Sequence, residues 1–221
     1  MTPSNHRTKA LLACTAMLFA ANAMAHTVNY AMEKAPTHEV VGFYMQLGIR
    51  HIVPDGMDHI LFVVGLCLLN PAFKSILWQA TAFTVAHSVT LALSMQNIIV
   101  APAAIVEPII SLSIVFIAIE NILFSKLHPW RILIVFFFGL VHGLGFASSL
   151  NETGLPRNKF LTSIISFNAG VEIGQVIIIV LVYALLVLPF SKKPWFKKLI
   201  VWPLSAAIAL MAAYWTLLRV V

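Results

Sequence analysis

The sequence predicts an all-α fold: a polytopic membrane helix bundle of six transmembrane helices after a cleaved signal peptide. Three observations lead there. Hydrophobic residues make up 60% of the 221 and charged residues only 10%, against roughly 25% charged in a soluble domain. The mean hydropathy is +0.93. The apolar runs are also far longer than barrel strands, and lipid admits only closed hydrogen-bonded structures. With 10 Gly, 11 Pro and 2 Cys, collagenous, disordered and disulfide-stapled chains are excluded. The net charge of +6 does not indicate nucleic acid, because the basic residues sit in short clusters between apolar runs, as at Lys192-Lys193 and Lys197-Lys198. Such clusters are topology signals.

Residues 1–25 read as a signal peptide, with Arg7 and Lys9 before the apolar Ala10–Ala21 and a small-x-small site at Ala23-Met24-Ala25. A lipoprotein box at Cys14 would stand too close to Lys9, and an uncleaved first helix would be short. Residues 26–50 are expected to form a periplasmic segment, and residues 51–221 a six-helix transmembrane domain. The apolar runs lie at about Gly56–Leu69, Phe73–Met95, Val100–Leu123, Arg131–Leu150, Phe160–Leu188 and Leu199–Arg219. The first is short for a ~20-residue span, so the chain before Pro54 is expected to complete it as a broken or half-inserted helix that folds His51 back over the mouth. Loops one, three and five carry Lys74, then Lys126 and Arg131, then lysines 192, 193, 197 and 198, whereas the other two carry only Arg157 and Lys159. This bias places both ends of the mature chain in the periplasm of a bacterial inner membrane.

Ionisable residues inside the spans carry the chemistry, since each costs roughly 2.5–3.5 kcal/mol at mid-bilayer. They are Asp58 and His59, His87, Glu107 and Glu120, His142, and Glu172 with the polar neighbours Asn168 and Gln175. No Lys or Arg is expected mid-span to neutralise the carboxylates. Imidazole and carboxylate without thiolate form a ligand set for Ni²⁺, Co²⁺, Zn²⁺ or Mn²⁺. Counted at about 1.5 Å per residue, His87, Glu107, His142 and Asn168 each fall seven or eight residues from the outer end of their spans. Antiparallel spans therefore bring them to one depth, with Glu172 a turn below and Glu120 near the cytoplasmic end as an exit residue or an interfacial one. Asp55, Asp58 and His59 at i, i+3 and i+4 share a face if all are helical, although Asp55 also reads as a helix-start acid. Gly139 with Gly143, and Gly170 with Gly174, are small-xxx-small pairs. A tight contact between spans four and five would bring His142 towards Asn168 and Glu172. His26 and His38 read as tail residues, His128 as structural, and the five Trp as interfacial or packing residues.

The run from Gly48 through His51, Pro54-Asp55-Gly56 and Asp58-His59 to Phe62 resembles the first-span signature of the HupE/UreJ family. Phe83–Leu91, Val106-Glu107, Phe138–Ala147 and Phe167–Gln175 are similar to its later motifs. The resemblance covers essentially the whole mature chain. It implies a hydrogenase or urease accessory membrane protein that permeates nickel or cobalt, with a maturation system as partner. It also implies that His51, Asp58 and His59 form the family's histidine–aspartate–histidine motif, with Glu107, His142 and Glu172 as further candidates.

The expected function is a permease whose substrate is a divalent metal ion, Ni²⁺ or Co²⁺ ahead of Zn²⁺. His59, His87 and His142 would supply nitrogen, and Asp58, Glu107 and Glu172 would supply charge that neutralises a 2+ ion. Its partners are membrane lipid and the ion, not nucleic acid. No Walker-type glycine loop is present, so a gradient or the membrane potential must drive uptake. The alternative is an intramembrane zinc-type hydrolase with an open water position; a metal sensor without flux is the least specific reading.

Overall fold

The computed structural model describes residues 30–69 and 71–220; the expected signal peptide and His26 lie outside them. The described residues are mostly helical, with no strand among them. Helix α1 spans Thr37–Ile52, α2 Met57–Leu69, α3 Phe73–Met95, α4 Ala103–Leu123, α5 Arg131–Thr153, α6 Phe160–Val182 and α7 Trp202–Val220. A π-helical stretch, Tyr183–Val187, extends α6 to Phe190, and a second one, Lys197–Val201, leads into α7. Helices α3 to α7, with these extensions, are each long and apolar enough to cross a membrane. Helices α1 and α2 reach that standard together, as a pair bent by 69°. The fold is thus the predicted membrane helix bundle, with up to six spans.

Three pairs organise it: α3 with α5 and α1 with α6, which run parallel, and α4 with α7, which run antiparallel. The short α2 runs through the middle and touches helices of all three pairs. Its sequence, MDHILFVVGLCLL, is apolar on every side, as a fully enclosed helix requires. Eight of its thirteen residues are buried, from His59 to Leu69.

Glycines set the closest approaches, but not between the spans the sequence suggested. Spans four and five, α5 and α6, do not form a principal pair. A Cβ on Gly139 would meet Phe83 O of α3 at 2.5 Å, and one on Gly143 would collide with His87 O. Likewise Gly170 faces Met45 O, and Gly174 faces Ile52, both on α1. The segment before Pro54 supplies the partner for α6: Val40, Tyr44, Gly48 and Ile52 line its buried face. The sequence pattern showed which faces were small, but not which helix each would meet.

At one end of the bundle, α5 stops at Gly154 with φ 83°, a backbone that favours glycine, and the Tyr44 hydroxyl donates to its carbonyl at 2.8 Å. Lys159 donates to the carbonyls of Met32, Glu33 and Ala35 nearby. The opposite end carries Lys74, Lys126 and lysines 192–198, and there Lys197 donates to Phe124 O at 2.9 Å and Ser125 Oγ at 2.7 Å.

Candidate metal centre

The bend between α1 and α2 builds the centre. Val53 N–H closes the last turn of α1 on Ile49 O, and Asp55 N–H returns to Arg50 O. Gly56 then packs under the His51 carbonyl so closely that any Cβ would strike it. The chain bends by 69° there, and the His51 and His59 rings meet edge to face with centroids 4.6 Å apart. Asp55 is left exposed in the turn, before the first residue of α2. It therefore does not share a helical face with Asp58 and His59.

His87 of α3 joins them, 5.9 Å from His51 and 6.1 Å from His59 between ring centroids. One nitrogen from each of the three rings lies within 4.8 Å of the other two. His142 of α5 is adjacent, its ring 5.1 Å from that of His59. His59, His87 and His142 are at most 4% exposed. Among the described residues, Nε2 of His51, His59 and His87 and Nδ1 of His142 are buried without a hydrogen-bond partner.

The opposite nitrogens of His59, His87 and His142 are held, and that sets their tautomers. His59 Nδ1 donates to Asp58 Oδ1 at 3.0 Å, and the same oxygen accepts the His59 backbone N–H at 2.9 Å. Asn168 anchors its amide by donating Nδ2 to Ile164 O at 2.8 Å, which turns Oδ1 towards His87 Nδ1 at 3.2 Å. Ser113 donates to Ile110 O at 2.7 Å, so its oxygen accepts from His142 Nε2 at 3.0 Å. In each case the engaged nitrogen carries the proton and the orphan nitrogen keeps its lone pair. This is how metal-ligating histidines are oriented. A metal at 2.0–2.1 Å from each nitrogen needs N···N separations of about 3.4 Å, so modest ring rotation would close the set.

Phenyl rings wall the imidazoles. Phe146 lies 3.7 Å from His51 and stacks on Phe167 at 5.1 Å and 10°. Phe83 stacks on His87 at 6.1 Å and stands edge-on to His142 at 4.9 Å, while Phe62 lies 5.5 Å from His142. Their sequence signal was available: Phe62, Phe83 and Phe146 stand three or four residues from His59, His87 and His142. Ser113 had no such signal.

The carboxylates do not gather as expected. Asp58 reaches the cluster, behind the His59 ring. Glu107 is half exposed and faces Arg219 Nε at 3.8 Å; Arg219 also donates to Glu107 O and Ser111 Oγ. Glu172 accepts from Thr81 Oγ1 at 2.6 Å, beside the Thr84–Gln175 contact at 3.1 Å. Nor are the spans free of cations. Arg131 is fully buried, 3.3 Å from Glu120. Its guanidinium also reaches Asn121 Oδ1 and Gly65 O, and Asn121 Nδ2 donates to the same carbonyl at 2.8 Å. A position at a span boundary does not reveal where a long side chain ends, and here it turns inward. Glu120 is thus one half of an internal ion pair.

No curated protein and no solved structure matches the chain. The sequence profile of the HupE / UreJ protein family matches residues 15–219, nearly the entire length. With a membrane helix bundle formed around the motifs that carry the resemblance, the chain belongs to the HupE/UreJ family.

Proposed function

We propose that this protein is a permease for a divalent transition-metal cation, Ni²⁺ or Co²⁺ above all, which is bound in transit by His51, His59 and His87 with His142 beside them. The carrying observation is the convergence of three imidazoles from three helices, one nitrogen of each within 4.8 Å of the other two, with Nε2 of every ring unpartnered among the described residues. Imidazole-rich sites suit late first-row metals, whereas Mg²⁺, Ca²⁺ and Mn²⁺ are served better by oxygen. One nearby carboxylate, Asp58, offsets part of the ion's charge, and the absence of thiolate keeps release feasible. A cation of charge two gains about 2.3 kcal/mol per charge per 100 mV on entering a negative interior. That drive needs no nucleotide. In this reading the lysine-bearing end faces the cytoplasm of a bacterial inner membrane, the ion enters from the periplasm, and a hydrogenase or urease maturation system consumes it.

Hydrolysis is less well supported. It needs a carboxylate base beside metal-bound water, but Asp58 sits behind the His59 ring at Nδ1 and Glu172 is bonded to Thr81.

The test is uptake of radioactive Ni²⁺ or Co²⁺ into proteoliposomes under an inside-negative potassium diffusion potential. Wild type should accumulate metal and His59→Ala should not. Tight metal binding without accumulation in wild type would refute a permease.

A further inference from the structure

We propose that a cleft at the lysine-bearing end is a binding site for an anionic phospholipid with a glycerol headgroup. It lies between the start of α3 and the α4–α5 connection, with a cavity of about 470 Å³ lined by Lys74, Ser75, Trp78, Gln79, His128 and Ile132 among others. That volume falls within the range of small-molecule sites. A second observation, independent of the cavity, asks for a ligand. Gln79 is only 2% exposed. Its Nε2 donates to Ser75 O at 3.1 Å, while its Oε1 is buried with no partner among the described residues. A buried amide oxygen left in that state is unfavourable unless a donor arrives.

The lining identifies the donor. Lys74 is exposed at the rim, and no acidic residue lines the cleft, so an anion is attracted without opposition. The Gln79 oxygen needs a hydroxyl or an ammonium, and Lys74 disfavours an ammonium. A phosphate carrying a glycerol hydroxyl satisfies both groups at once. The mouth points to lipid in preference to a free anion: Trp78 is 59% and Ile132 43% exposed, where the helices meet the boundary layer that tryptophan favours. The first methylenes of an acyl chain would lie against them. Basic residues at this end attract anionic lipid, and the cleft gives that attraction a specific seat. The site stands apart from the imidazole centre and does not depend on the transport reading.

The test is native mass spectrometry of the purified full chain in non-ionic detergent, with equimolar phosphatidylglycerol, phosphatidylethanolamine and phosphatidylcholine. Wild type should retain phosphatidylglycerol at least fivefold over phosphatidylcholine. Lys74→Ala and Gln79→Leu should each lower that ratio at least threefold, and millimolar inorganic phosphate should not displace the lipid. Equal retention of the three lipids by wild type would overturn the proposal. So would an unchanged ratio in Lys74→Ala, whose exposed position leaves packing intact even if Gln79→Leu fails to fold. Displacement by phosphate would reassign the cleft to a free anion.

Discussion

Replacing Asn168 by leucine probes the geometry most finely, because Asn168 touches no metal in this account and acts only on the proton of His87. In wild type its Oδ1 accepts from His87 Nδ1 at 3.2 Å and its Nδ2 is fixed on Ile164 O at 2.8 Å. Leucine preserves the volume and removes the acceptor. His87 is fully buried, so its Nδ1–H then either stays unpaired, at about 1–3 kcal/mol, or moves to Nε2 and takes away the lone pair offered to the ion. The tautomer switch weakens binding directly, and the unpaired Nδ1–H weakens it through lost ligand basicity and ring orientation, so the expected loss is roughly 10- to 100-fold in Kd. Isothermal titration of the detergent-purified variant with Ni²⁺ or Co²⁺ measures it directly. Asn168→Asp is the comparison: it restores an acceptor for His87 Nδ1, although it loses the donor to Ile164 O, and should bind metal more tightly than Asn168→Leu. A folded Asn168→Leu protein with wild-type affinity would refute the tautomer argument.

Other perturbations separate the residues that gather from those that do not. Glu107→Gln should leave metal affinity unchanged within about twofold by the same titration, since Glu107 faces Arg219 outside the imidazole cluster. Gly56→Ala should abolish high-affinity binding, because its Cβ meets the His51 carbonyl and forces the α1–α2 bend open; equilibrium dialysis with the metal would record the loss. Glu120→Gln strands the buried Arg131 guanidinium and should lower unfolding stability by about 3–5 kcal/mol. The double variant Glu120→Leu, Arg131→Met should regain most of it in denaturant unfolding.

Span positions were legible because lipid makes one demand, an unbroken apolar run, and the observed helices start and stop within a few residues of the apolar runs. Depth was legible for the same reason: antiparallel helices of known rise put His59, His87 and His142 on one level, and their rings are adjacent. Azimuth was not. Glu107 and His142 share a depth in the sequence count, yet Glu107 turns towards Arg219 on α7, and only packing decides which way a helix faces. The glycine pairs marked close contacts without naming partners, so α5 was matched to α6 when it packs on α3. The α1–α6 pairing was hidden for a different reason. Residues 37–52 are amphipathic and too polar to read as a span alone, and only docking against the α6 glycines buries their apolar face. Arg131 was misjudged from its boundary position, although its guanidinium ends fully buried beside Glu120.

X-ray absorption spectroscopy on the Ni²⁺- or Co²⁺-loaded protein bears most directly on the centre. One ion per chain, with the multiple-scattering pattern of three or more imidazoles and nitrogen at about 2.0–2.1 Å, is the predicted result, with that pattern reduced in each of His51→Ala, His59→Ala and His87→Ala. A shell of oxygen ligands without imidazole scattering, or an unchanged spectrum in all three variants, would contradict it.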